Sequence, residues 1–157
     1  MLSAAVSNLG KTSLYIIEQG IRMDSKYYCD SLLSQMIPEM ERLSGGNFIF
    51  QQDGARSHTS KHTIAYLDTH LPADADVLLP NDWPPHSPDL NPMDYSIWSS
   101  LARKVYRVKI RNLEHLCQRL GEAWDEISQD EIDRSLDPSG NVLKHASKSV
   151  ERGLSTL

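Results

Sequence analysis

Long apolar runs are missing from this chain, and none approaches the roughly 20 residues that a membrane-spanning helix needs. No membrane partner is therefore expected. The opening segment MLSAAVSNLG has no basic stretch followed by a long apolar one, so it does not read as a secretory leader. Cysteine is scarce: Cys29 and Cys117 are the only 2. Their spacing is not that of a zinc site, and they read as buried free thiols in a reducing compartment. A basic excess is also absent. The net charge is −5, so composition alone does not point to nucleic acid. Internal repeats and low-complexity tracts are absent too.

What remains is ordinary for one globular domain over 1–157: the 157 residues are 39% hydrophobic and 24% charged. Residues 2–9 and 12–18 read as two strands about a turn at Gly10-Lys11. Residues 25–43 carry Tyr28, Leu32, Leu33, Met36 and Met40 at helical spacing, with Ser25 as N-cap and a kink at Pro38. Ser44-Gly45-Gly46 ends that helix. Residues 47–51 form a continuous apolar strand, as expected when both faces are buried. A helix over 59–71 and a buried strand over 77–79 follow. The loop over 81–92 is rich in proline. Helices are then expected over 93–105, 113–126 with Asn112 as cap, 130–136 and 143–154. Strands alternating with helices predict an α/β fold with a mixed sheet. The core spans about 2–106, and the C-terminal helices about 112–157.

Two carboxylates stand out in this frame. Asp53 follows FIFQQ, where a buried strand would surface, and Gly54 lets the chain turn at once. Asp94 falls in the first turn of the helix that Pro92 opens. Taken singly, the first reads as a turn residue and the second as a carboxylate facing a helix dipole. Taken together, they suit a divalent-metal site, because a hard cation wants oxygen ligands on rigid elements. Such a metal activates an oxygen nucleophile and stabilises a leaving oxygen in phosphoryl transfer. Asp89 reads as a loop-ordering residue, as do His86 and Asn91. Arg103, Lys104, Arg107, Lys109 and Arg111 cluster in RKVYRVKIR. The cluster reads either as a phosphate-binding patch or as a solvated face.

The segments QDGARSHTS and WPPHSPDLNPMDYSIW resemble the mariner-type transposases, members of the aspartate-triad superfamily. The resemblance runs from about residue 2 to at least 106. It implies a ribonuclease-H-like mixed sheet flanked by helices, lacking the first strand, which carries the family's first aspartate. It implies Asp53 and Asp94 as the second and third metal ligands, with Mg²⁺ or Mn²⁺ as cofactor. His58 matches the motif histidine, which could orient a ligand, contact DNA phosphate or serve as a satisfied structural histidine at a helix start. Arg56, His58, Arg103, Lys104 and Arg107 are the expected DNA-binding residues. Trp83, Pro84 and Pro85 could wall the DNA or pack the loop, and Trp98 is expected in the core. DNA, as transposon ends and target, is the implied partner, with a possible homodimer and work in the nucleus.

Two departures qualify the resemblance. The interval between Asp53 and Asp94 holds 40 residues, longer than is usual in the family. A surface insertion around PADADVLLPND accounts for the surplus. The strand of the first aspartate is the second departure. Its absence implies an open sheet edge, association or instability, and a chain inactive by itself. Two other readings stay open: a domesticated DNA- or protein-binding module, and a stand-alone nuclease. The nuclease would need a further acidic ligand, and Asp125-Glu126 reads better as a solvated face.

Overall fold

The computed structural model describes residues 1–78 and 91–136, and the backbone of residues 146–149. The chain opens with short strands β1 (Leu2–Ser3), β2 (Ala5–Ser7), β3 (Gly10–Lys11) and β4 (Tyr15–Ile16). They form one antiparallel hairpin, with Leu2 opposite Ile16 and Val6 opposite Lys11. The register shifts by one residue between the two ladders, which marks a bulge. The hairpin turn falls at Asn8-Leu9, earlier than the expected Gly10-Lys11. The Ser7 hydroxyl explains the shift: it accepts from the Leu9 N–H at 3.1 Å and donates to the Gly10 carbonyl at 3.3 Å. Gly10 serves another end. Its φ is +148°, and a Cβ there would lie 2.8 Å from Leu43.

The next helix runs as α1 (Ser25–Tyr27), a π-helical stretch (Tyr28–Leu33) and α2 (Ser34–Ser44). Its cap is Asp24 rather than Ser25, with the carboxylate accepting from the Tyr27 N–H at 2.9 Å. Pro38 sits inside α2. Gly45, left-handed at φ 70°, closes the helix. Strand β5 (Ile49–Gln52) follows, then α3 (Lys61–His70), capped by Ser60. Strand β6 (Asp76–Leu78) lies parallel to β5 at the sheet edge, half-buried rather than buried. A second π-helical stretch (Met93–Ile97) leads into α4 (Trp98–Val105). Helices α5 (Leu113–Asp125) and α6 (Gln129–Leu136) complete that layer, and Asn112 caps α5 as expected.

The expected helix over 143–154 is overturned in part, because residues Ala146–Ser149 form a strand, β7. It lies between β2 and β5, antiparallel to the first and parallel to the second. The five-stranded order is β3-β2-β7-β5-β6. Backbone N–H and C=O groups in the middle of a sheet need partners, and that need outweighs local helical spacing. The opening between β2 and β5 is thus filled by the chain itself, not left as an exposed edge.

Helices cover both faces of the sheet. On one face Tyr28, Leu33, Met36 and Met40 pack with Phe48, Phe50 and Leu67. On the other, Val6 packs with Met93, Ile97, Trp98, Leu116, Leu120 and Trp124. Each fully buried side chain of this size contributes on the order of 1.5–3 kcal/mol. Trp98 enters the core and stacks near Trp124, with ring centroids 6.4 Å apart. Polar ties hold the hairpin to the late helices. The Trp124 indole N–H donates to the Thr12 carbonyl at 2.9 Å. The Lys11 ammonium donates to the Trp124 carbonyl and, at 2.6 Å, to the Ile127 carbonyl, capping the end of α5. Burial lowers the Lys11 pKa despite the nearby Asp125 and Glu131. Cys29 is buried and free, whereas Cys117 is free but only half-buried.

Candidate active site

Asp53 leaves the buried end of β5. Gln51 and Gln52 before it are almost without exposed surface, so the strand holds the backbone of Asp53 firmly. Its Oδ1 accepts from the Ala55 N–H at 2.9 Å, an Asx turn that bends the chain toward α3. The same Oδ1 lies 2.6 Å from His58 Nδ1. Burial works to raise the Asp53 pKa, but the His58 imidazole and the Ala55 N–H more than offset it. The carboxyl is held below its ordinary 3.8.

His58 is fully buried. Its Nδ1 faces Asp53. Its ring lies 4.3 Å from that of Tyr28, whose hydroxyl donates to Gln52 Oε1 at 2.7 Å. Neither Tyr28 nor Gln52 is singled out by sequence reasoning. Tyr28 reads there as a position on an apolar helix face, and only packing across the chain brings it to Gln52 and His58 beside Asp53.

Asp94 lies in the first turn after Pro92, as expected, and is half-buried. Asn91 organises that turn: its Oδ1 accepts from the Met93 N–H at 3.2 Å and its Nδ2 donates to Asp94 Oδ2 at 3.0 Å. The helix that bears Asp94 is tied to α6 along its length. The Tyr95 hydroxyl donates to the Ser135 carbonyl, and the Ser96 and Ser135 hydroxyls are 2.8 Å apart. Farther along, Ser100 donates to Glu131, and Lys104 pairs with Glu131 at 3.3 Å.

The donor chemistry suits a hard divalent cation: two carboxylates, each carried at the end of a regular element. Among the described residues, no three His, Cys, Asp or Glu side chains gather closely enough to hold a metal. Of the expected cations, Arg56 and Arg103 are exposed. Lys104 and Arg107 are engaged within the chain, Arg107 with Glu126 at 3.1 Å. Asp89, Trp83, Pro84, Pro85 and His86 fall outside the described residues.

Over 115 residues the chain is 36% identical to the Tcb2 transposase of Caenorhabditis briggsae, covering 73% of this chain and 40% of that protein. It is 30% identical over 118 residues to the Tc1 transposase of Caenorhabditis elegans, with the same two coverages. The chain belongs to the mariner-type transposases. It spans about 40% of the length of these relatives and corresponds to part of a transposase catalytic domain. No protein-family model matches it. The fold is shared with the catalytic domain of the Mos1 mariner transposase, at a TM-score of 0.68 and 21% identity. That match covers 86% of this chain and 66% of the Mos1 chain, and the shared architecture is ribonuclease-H-like. The same Mos1 domain has been solved with Mn and Raltegravir, with 86% of this chain covered. The Mos1 paired-end complex with its left transposon end matches at a TM-score of 0.63 and 20% identity, covering 83% of this chain and 38% of that one.

Proposed function

We propose that this transposase portion, read as a single domain over 1–157, serves metal-dependent cutting and joining of DNA at transposon ends. Asp53 and Asp94 are the assigned ligands of Mg²⁺ or Mn²⁺. The observation that carries the reading is the pose of Asp53, at the end of a central strand with Oδ1 held inside and the side chain 30% exposed. A bound divalent metal would activate the attacking oxygen and stabilise the leaving one. The chain's own work is to hold the two carboxylates and to receive DNA. Arg56 and Arg103, both exposed, are the first candidates for phosphate contact, with Lys104 and Arg107 available only by exchange from their carboxylate partners. Mn in the Mos1 domain and the transposon end in the Mos1 complex support this reading. Joining two ends calls for two centres, so a homodimer is proposed, and work in the nucleus is proposed with it. Two carboxylates hold paired metals poorly, so the isolated chain is inactive.

The test combines Mn²⁺ binding, followed by loss of the free-ion electron paramagnetic resonance signal, with cleavage of transposon-end DNA. The expected result is weak Mn²⁺ binding, abolished in the Asp53→Asn, Asp94→Asn double variant, and no cleavage. Unchanged Mn²⁺ binding in the double variant would remove the ligand assignment. Robust cleavage that disappears on Asp94→Ala would refute inactivity of the isolated chain.

A further inference from the structure

The surroundings of Asp53 are more specific than a strand end requires. A carboxylate at such a site is normally satisfied by water or by backbone N–H groups. Here a fully buried imidazole approaches one chosen oxygen. Oδ1 faces both His58 Nδ1, at 2.6 Å, and the Ala55 N–H, at 2.9 Å. No hydrogen bond to Oδ2 is found among the described residues, although the side chain is part-exposed. The imidazole is itself fixed. Its ring packs on Tyr28, and Tyr28 is anchored by its hydroxyl to Gln52, the residue before Asp53. The loop from Asp53 to His58 is thus closed at both ends on the last residues of β5.

We propose that His58 is a positioning residue: backed by Tyr28, it holds Oδ1 of Asp53 inward so that Oδ2 alone is presented to a metal ion. The proposal rests on the reading of Asp53 as a metal ligand. A partner that fixes which oxygen is free narrows the rotamers the carboxylate samples before metal arrives. The hold requires the tautomer with a proton on Nδ1, since a carboxylate only accepts. Asparagine can place an amide N–H near the Nδ1 position, whereas alanine cannot.

The experiment uses the full chain and two readouts. Without metal, nitrogen-15 histidine spectra are recorded on wild type and on Asp53→Asn. A His58 Nδ1–H protected from solvent exchange, shifted by the Asp53 change, is expected. An Nδ1 without a proton, or with one in rapid exchange, would overturn the hold. With Mn²⁺, affinity is measured for wild type, His58→Ala and His58→Asn. A loss on the order of tenfold is expected for His58→Ala, with most of it restored in His58→Asn. Near-UV circular dichroism of each variant separates this effect from misfolding. Wild-type affinity in a folded His58→Ala, or no recovery in a folded His58→Asn, would overturn the proposal. If His58→Ala fails to fold, the comparison of His58→Asn with wild type and the metal-free spectra decide it. Unchanged Mn²⁺ binding in Asp53→Asn would instead remove the ligand reading, and the metal-free spectra would still judge the hold.

Discussion

Asn91 does two jobs with one side chain. Its Oδ1 stops the open N–H of Met93, and its Nδ2 holds Asp94 Oδ2. The first is a helix-start hydrogen bond and the second fixes a carboxylate rotamer. Asn91→Ala removes both. We expect a stability loss of about 1 kcal/mol in urea unfolding and weaker Mn²⁺ binding. Asn91→Ser would keep an acceptor for Met93 and lose the amide on Asp94, so stability should recover while Mn²⁺ binding does not. Equal recovery of both would show that Asn91 acts on the helix alone. At this scale the two carboxylates are legible in the sequence because their signals are local: an apolar strand running into Asp-Gly, and a proline opening a helix. Tyr28 is not legible, because nothing within its own helix marks it out from Leu32 or Leu33. Its meaning comes from His58 and Gln52, which lie on other elements.

The elements show where local reading holds and where packing overrules it. Helix α5 starts at its expected cap because Asn112 needs only the His115 N–H, three residues on. The hairpin turn moves because a serine hydroxyl closes a turn before Gly10, and Gly10 is needed beside Leu43. Gly121 contrasts with Gly10. It lies inside α5, and nothing stands within 4 Å of where an added methyl group would sit. Gly121→Ala should therefore stabilise the chain by roughly 0.5–1 kcal/mol in urea unfolding, whereas Gly10→Ala should destabilise it. The link between α4 and α6 depends on pH. Glu131 is partly desolvated, which works to raise its pKa, yet Ser100 and Lys104 hold the carboxyl below its ordinary 4.5. A lowered carboxyl pKa means stability that is present above the unfolded value and lost as pH falls through the folded one. Glu131→Gln should cost about 0.5–1 kcal/mol at neutral pH, allowing for solvent screening of the pair. The difference from wild type should shrink as pH falls below 4.5. A pH-independent difference in melting temperature would assign the effect to packing instead.

At the scale of the whole molecule, one strand decides whether the sheet is continuous. β7 joins the hairpin half, β3-β2, to the parallel half, β5-β6. Its sequence, Ala-Ser-Lys-Ser, is poor in the branched and aromatic residues that favour central strands. What it supplies is backbone pairing: Ser147 stands opposite Phe50, and Ser149 opposite Gln52 beside Asp53. The helical spacing of residues 143–154 could not announce this, since the demand comes from strands more than 90 residues earlier. A central strand with little preference of its own is the point at which the sheet should open first. Ser147→Pro removes a ladder donor where the sheet has neighbours on both sides. It should lower stability by about 1–3 kcal/mol in urea. It should also strip hydrogen-exchange protection from the amides of β5 and β2 together. The uncovered edges would then favour self-association, visible as a concentration-dependent sedimentation coefficient. A Ser147→Pro chain with wild-type protection in β5 would mean that β7 does not pair there in solution. In that case the two halves of the sheet would be held together by their helices alone.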